Sequence, residues 1–369
     1  MNFLFFPGGS YVGGMEIVIQ GLMAQLNEKN HRTLAIVSGW NDGDYPTRLR
    51  VSGLSFEEVK LGRFYRSRPL WTLDTLRNFP EATLKLRRRV RQFRPDLAIY
   101  PDPQLLLIGS LILPKLRNVL YQHNDAAGLR LSATSKVFNA RLDRIVCVSE
   151  FVASSLCKAG FEPTKVVVVH NGIALPAAAP LPSRERPTQL GIVGQVLPRK
   201  QHLTLIRALG VLRMRRPAIQ FRLKIIGNGE GQYAQEVKQL VGQLQLQDVV
   251  EWPGFFTNRD DIYRDLDVLV APAIDEPFGT TILEACAYGL PVVAARSGGS
   301  PEIVLDETTG LLFDAADVES LVTALEKLIT DPSLRARLGR AGRSRVGQTF
   351  TLERMASRFA EVLSADKTP

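Results

Sequence analysis

The segment DEPFGTTILEACAYGLPVV holds two acids, Glu276 and Glu284, eight positions apart and on either side of a PFG turn. The run VLVAP before it reads as a strand and the stretch after it as a helix starting near Thr281, so the acids flank a strand-to-helix junction. There the backbone N–H groups of Phe278, Gly279 and Thr280 can turn toward an anion, and the helix N-terminus adds partial positive charge. Ionised carboxylates only accept hydrogen bonds, which suits them to hydroxyl groups. The pattern therefore predicts a diphosphate at the turn, Glu276 on sugar hydroxyls and Glu284 on the vicinal hydroxyls of a ribose. Glu284 has a structural alternative, since Thr281 and Glu284 spell a T-x-x-E capping box. Glu276, beside Pro277 at a strand end, has no such role and needs a partner.

Other candidates sit where strands should end. GQVLPRK offers Arg199 and Lys200 as cations for a diphosphate and its departing charge; solvated loop cations are the alternative. Gly13 and Gly14 follow the first strand and would let backbone amides approach phosphate or sugar, or merely form a tight turn. Glu16 behind them suits a helix start. Gly227 and Gly229 in IIGNGE, and Gly254 in WPGF, read as loops cradling a base and ribose, with turn duty as the alternative. His123 ends the strand VLYQ, and a simple hydrogen-bonding histidine is its competing reading. His31, His170 and His202 receive no role.

The elements that must position these residues follow from pattern and length. At 369 residues the chain predicts two domains. Short β-branched or aromatic runs (FLFF, TLAIV, LAIY, VLYQ, IVCV and VVVV, then QLGIVG, FRLKIIG, VVEW, VLVAP and PVVAA) alternate with helical stretches, the signature of parallel sheets wound by helices. Between the two sets, ALPAAAPLPSRERPT has four prolines in fifteen residues and is the linker. The expected organisation is a first domain over 1–173, a linker over 174–188, a second domain over 189–350 and a final helix within 351–369. That helix could pack on either domain, and a return to the first is one option. The fold class is α/β, two doubly wound Rossmann-like domains facing across a cleft, with ligands at the carboxyl ends of strands.

Bulk properties narrow the setting. Hydrophobic residues at 45% and charged residues at 22% are those of an ordinary globular chain. The run Phe3–Phe6 reads as a strand rather than a secretory leader, and no apolar stretch approaches the roughly 20 residues of a membrane span. Cys147, Cys157 and Cys286 have no metal-like or framework spacing, so a reducing cytoplasm is expected. The net charge of +9 is uneven: Lys60 to Arg94 carries eleven basic residues against two acidic ones. Interleaved with Phe64, Tyr65, Leu70, Trp71, Leu76 and Phe79, that stretch suits anionic lipid headgroups, with Arg63, Arg66, Arg68, Arg87, Arg88 and Arg89 as the patch. An acidic acceptor ranks second, and nucleic acid is not expected because no nucleic-acid motif accompanies the charge. A solvated helix face is the plain alternative.

The glutamate segment resembles the E-x7-E motif of glycosyltransferase family 4, the retaining GT-B enzymes. G-G-x-E at Gly13, Gly14 and Glu16, VVVVHNGI, SGGSPEIV and ETTGLLF are similar to further segments of that family, so the likeness covers most of the chain. It implies transfer of a glycosyl group from a nucleotide diphosphate-sugar to an acceptor hydroxyl with retention, in cell-surface polysaccharide, lipopolysaccharide or glycolipid synthesis. A UDP-sugar is the first expectation, ahead of GDP- or ADP-sugars, and the acceptor a glycan or lipid-linked one. It also implies that His123 meets the transferred sugar and that Glu276, His123 and Lys200 form the catalytic set. No resident cofactor or metal is expected, and the D-x-D of Asp265 to Asp267 leads into the VLVAP strand rather than standing in a loop. The chain departs from the family at Gln195, where an arginine is usual, and at Gln201, where a glycine is. Arg199 is thereby a substitute cation, and Gln195 stays in the donor set. Cysteine usage and the basic stretch together set the expected location as the cytoplasm or the inner face of the cytoplasmic membrane. A sugar-nucleotide epimerase of the same fold, a non-catalytic membrane or nucleic-acid-binding protein using the patch over 60–94, and an exported sugar receptor are the alternatives.

Overall fold

A computed structural model describes residues 1–7, 12–61, 69–126, 135–177 and 186–365, with side chains omitted at 69–71. Arg63, Arg66 and Arg68 lie outside the described residues, as do 178–185 of the proline-rich segment. The chain divides into two compact units, one of Met1–Gly172 together with Leu352–Pro369, the other of Ile173–Thr351.

The first unit runs β1 (Asn2–Phe5), α1 (Gly14–Glu28), β2 (Arg32–Ser38), α2 (Asp44–Val51), β3 (Phe56–Val59), α3 (Pro69–Phe93), β4 (Leu97–Tyr100), α4 (Pro103–Ile112), β5 (Arg117–Gln122), α5 (Ser135–Asn139), β6 (Arg144–Cys147), α6 (Glu150–Lys158) and β7 (Val166–Val168). Its seven strands are ordered β3-β2-β1-β4-β5-β6-β7 and all pair in parallel. Central strands such as LAIY are buried on both faces because helices cover them, which is why they read as continuous apolar runs.

The second unit runs β8 (Thr188–Val193), α7 (His202–Arg215), β9 (Phe221–Ile226), α8 (Gln232–Gln243), β10 (Val250–Gly254), α9 (Arg259–Tyr263), β11 (Val268–Ala271), α10 (Thr280–Ala287), β12 (Val292–Ala295), α11 (Ser300–Ile303), β13 (Leu311–Phe313), α12 (Val318–Thr330) and α13 (Pro332–Thr349). Its parallel sheet is ordered β10-β9-β8-β11-β12-β13, the same pattern as the first six strands of the other unit. Leu190, Ile192, Leu223, Ile225 and Val268 meet Leu205, Leu209 and Leu325 in one core. Arginines of α13 close helix ends: Arg335 donates to Leu328 O and Ile329 O of α12, Arg343 to Ala287 O of α10, and Arg345 to Ile303 O of α11. Each places positive charge against carbonyls that lack an intrahelical partner.

The last helix, α14 (Leu352–Ser364), belongs to the first unit. Phe359 is fully buried, its ring 6.2 Å from Phe5, 6.3 Å from Phe3 and 5.2 Å from Tyr121. A Cβ on Gly21 of α1 would lie 2.9 Å from Leu352 Cδ2, so glycine lets α1 and α14 approach. Where the chain leaves and re-enters the first unit, Ile173 pairs in parallel with Thr351.

Candidate functional site

In a doubly wound sheet the crevice forms where strand order reverses, outside the carboxyl ends of the two central strands. In the six-stranded sheet those strands are β8 and β11. The loop leaving β8 is fixed by Gly194 N donating to Ile226 O (2.9 Å) and Val196 N to Asn228 O (3.0 Å). A single 3-10 turn at Pro198–Lys200 then presents Arg199 and Lys200, and Arg199 O accepts from Ile274 N (3.0 Å) in the loop after β11. The two loops are thus tied together at the switch point.

Glu276 lies within that tie. Its Oε2 accepts from Arg199 Nη1 at 2.9 Å and Lys200 Nζ at 3.0 Å. The Glu276 and Lys200 side chains are only 15% and 17% exposed, against 45% for Arg199. Two cations on one carboxylate leave a net charge of about +1, which favours a bound polyanion. The geometry fills Oε2 with cations and leaves Oε1 without a protein hydrogen bond among the described residues. The backbone of the same residue is held by the SGG turn: Gly299 N donates to Glu276 O (2.8 Å), and Asp275 N to Ser297 Oγ (3.0 Å). Gly298 is left-handed (φ +59°), and a Cβ there would come within 2.3 Å of Glu276 O, so only glycine permits this approach.

Helix α10 begins at Thr280 behind Gly279, a left-handed N-cap (φ 101°) with no side-chain cap. The expected T-x-x-E box does not form, because a helix starting at Thr280 puts Glu284 in its second turn, beyond the reach of the cap. Without a capping side chain, the first amides remain available to an anion. Lys200, Glu276, Gly279, Thr281 and Ser300 line a cavity of about 10 Å³ at this point, room for roughly one water. Ser300 Oγ is buried there without a partner among the described residues. Phe278 is buried against Phe350, ring centroids 5.9 Å apart.

Glu284 is held elsewhere. Its Oε1 accepts from Arg259 Nε and its Oε2 from Tyr263 OH, both at 2.7 Å. Burial first, and then the Glu284 charge, push the Tyr263 hydroxyl well above its usual range, so it stays a donor. Tyr288 OH donates to Asp260 beside it. Arg259 and Tyr263 are functional neighbours the sequence did not single out; they precede Glu284 by 25 and 21 positions with no local signal.

Among the glycines, Gly227 N donates to Gly254 O (2.9 Å), joining the ends of β9 and β10. Gly227 (φ +147°) packs so closely that a Cβ would sit 2.0 Å from Gly194 O. Gly229 faces Trp252 and Val196, while Gly254 has open space above it. Gln195 is exposed on the β8 loop. Asp267 is engaged structurally, accepting from Gln189 N (2.8 Å) and pairing with Arg186 (3.4 Å).

The first unit carries its candidates at the ends of β1 and β5. Gly13 is the N-cap of α1, and its amide donates to Glu16 Oε2 (2.9 Å), so that N–H serves the helix rather than a ligand. A Cβ on Gly14 would meet nothing within 4 Å, which leaves space over this helix start. His123 is half-buried, its ring 4.2 Å from Tyr121 and its Nε2 shielded without a partner among the described residues. Burial pushes its pKa down to about 3, so the imidazole is neutral. On α3, Arg87 reaches Ile112 O (3.3 Å) and Arg89 lies 3.8 Å from Glu57, so of the expected triplet Arg88 alone has no polar partner among the described residues. Three consecutive residues on a helix point in three directions, and the triplet is not one face.

Known proteins resemble this chain in sequence and in fold. Residues 177–345 match the family described as glycosyl transferases group 1, and residues 12–175 match glycosyltransferase family 4. A D-inositol 3-phosphate glycosyltransferase of Streptomyces avermitilis is 33% identical over 244 residues, 61% of this chain and 52% of that protein. A GDP-mannose-dependent alpha-(1-6)-phosphatidylinositol monomannoside mannosyltransferase of Mycolicibacterium smegmatis is 35% identical over 181 residues, 47% of this chain and 46% of that protein. The chain spans about half the length of the curated relatives it matches. The crystal structure of Anabaena HepE in complex with UDP and glucose aligns with a TM-score of 0.81 at 21% identity, covering 99% of this chain and 100% of that one. The fold is GT-B, two parallel sheets flanked by helices.

Proposed function

We propose, for a chain that belongs to the group 1 glycosyltransferases of family 4, that it transfers a glycosyl group from a nucleotide diphosphate-sugar to an acceptor hydroxyl with retention and without a metal. The observation that carries this reading is the pairing of Glu276 with Arg199 and Lys200 at the β8/β11 switch point, beside the uncapped N-terminus of α10. Lysine and arginine have donors to spare beyond those given to Glu276, and these face a diphosphate. As the bond from anomeric carbon to diphosphate oxygen breaks, charge grows on the diphosphate, and the two cations and the helix N-terminus stabilise it. The new bond forms to the acceptor oxygen on the same face of the sugar, and the acceptor proton passes to the departing phosphate oxygen. Glu276 Oε1 accepts a hydroxyl of the transferred sugar. Glu284, oriented by Arg259 and Tyr263, takes the ribose hydroxyls.

A UDP-sugar is the preferred donor, in keeping with the UDP bound by the Anabaena neighbour, and a GDP-sugar the second choice, in keeping with the mannosyltransferase relative. The acceptor is a glycan or lipid-linked hydroxyl in cell-surface polysaccharide, lipopolysaccharide or glycolipid synthesis, met in the cytoplasm or at the inner face of its membrane. No helix among the described residues is long and apolar enough to cross a bilayer.

Thermal shift against UDP-, GDP- and ADP-sugars tests the donor. At 100 times its Kd the right donor stabilises by about 2.7 kcal/mol, and no shift with any of them overturns the reading. Incubation with the donor alone should yield no isomerised sugar, since an isomer would identify an epimerase. Transfer should persist in EDTA.

A further inference from the structure

Helix α3 has a surface that the six arginines first singled out do not describe. Its inner face is Thr75, Ala82, Leu86 and Phe93, each 5% exposed or less. At 3.6 residues per turn these four fall about 180–220° around the axis from Leu73. The opposite side carries Leu73, Leu76 and Leu84, which are 60%, 54% and 70% exposed. Arg77, Arg88 and Arg91 are exposed with them, and all six lie within about 60° of the line through Leu73. None of the three arginines pairs with a carboxylate among the described residues, whereas Lys85 and Arg89, off the stripe, are turned to Glu57. Glu81 borders the stripe. Arg87 reaches Ile112 O, which brings the end of α4 alongside, and Leu111 there is 63% exposed.

Three large apolar side chains in register on the outer face of a helix expose surface that water disfavours, and packing among the described residues does not explain them. Guanidinium groups interleaved at the same depth decide the partner. Leucines enter the acyl boundary while arginines, with their apolar stems alongside, reach the phosphates. We propose that the outer face of α3 lies flat on an anionic phospholipid surface, and that it holds the enzyme where a lipid-linked acceptor is presented. This deepens the acceptor reading given above.

Sedimentation of the full chain with vesicles tests the surface. Vesicles of equal parts phosphatidylglycerol and phosphatidylcholine should carry the protein down, and pure phosphatidylcholine should not. The variant Leu73→Gln/Leu76→Gln/Leu84→Gln should partition on the order of tenfold more weakly or less, and Arg77→Gln/Arg88→Gln/Arg91→Gln about fivefold more weakly per charge removed. Because these side chains are already exposed, circular dichroism, thermal midpoint and donor-induced stabilisation should match the parent. Failure of the parent to sediment, or undiminished binding by a folded leucine variant, overturns the proposal. Tighter capture by a duplex oligonucleotide that displaces the vesicles also overturns it and reassigns the face to nucleic acid. If vesicle binding holds while no donor binds, the donor reading alone fails.

Discussion

The two sheets share one strand order, yet the residues beyond their strand ends carry different chemistry. In the six-stranded unit, the loops after β8 and β11 assemble two cations and a carboxylate on one oxygen. In the seven-stranded unit, His123, Tyr100 and Tyr45 are neutral, and the carboxylates of Glu16 and Asp102 are taken up by the starts of α1 and α4. Burial lowers His123 to about 3 and raises the hydroxyls of Tyr45 and Tyr100, neither of which has a partner among the described residues. The contrast teaches that the fold supplies a location and the loops supply the chemistry.

Removing the carboxylate from the charged end should have the largest effect. Glu276→Ala is expected to lower kcat about 10³-fold, at the upper end of what one electrostatic contact contributes. UDP affinity measured by calorimetry should be equal or higher, since the two cations lose their partner. Retained activity would break the contrast. Lys200→Gln should cost about 10²-fold in kcat and also weaken UDP, because Arg199 alone then faces both Glu276 and the diphosphate.

Glu284→Gln should weaken UDP binding by about 1–3 kcal/mol. Unchanged affinity by calorimetry would remove the ribose role and leave Glu284 as the partner of Arg259.

The smallest effect concerns one neutral histidine in each unit. His123 and the buried His202 sit at about 3 and about 4, below the ordinary 6.5. Below pH 6.5 the unfolded chain therefore binds protons that the folded one refuses, and stability falls as pH drops. Each contributes about 1.4 kcal/mol per pH unit down to its folded value. Urea midpoints between pH 7 and 5 should show that slope, and His202→Leu should flatten it. His123→Gln should slow transfer without altering the shape of kcat/KM against pH between 6 and 8. A lost inflection near 6.5 would mean that His123 titrates after all.

How much of this was legible depended on range. Buried parallel strands announce themselves locally, and LAIY, VLVAP and the other runs lie where strands form. FEEV and LLF escaped because they are short edge strands, one of them carrying Glu57 and Glu58, and edges tolerate charge that a central strand would not. The helix start at Thr281 misled because T-x-x-E is a common local signal, while the PFG turn already supplied a left-handed glycine cap two residues earlier. The pairing of Glu276 with Arg199 and Lys200 spans 77 and 76 positions, and the grip of Arg259 on Glu284 spans 25. No periodicity encodes which loops meet. Sequence types named the groups, and only the folded register assigned the partners. Two arginine-rich helices make the same point: α13 turns several of its guanidiniums inward to cap other helices, and α3 turns several outward.

The return of α14 to the first unit bears on how the protein is made. Phe3 and Phe5 are translated before the whole of the second unit, and the ring that covers them, Phe359, only after it. The unit translated first thus cannot close until α14 has followed the whole of Ile173–Thr351, which is continuous and can fold while the chain is still tethered. The usual N-to-C order of domain folding is inverted, and the early-born half must wait with an open apolar seam. A nascent chain stalled before Leu352 should be a chaperone client, and truncation there should abolish the first unit while sparing the second.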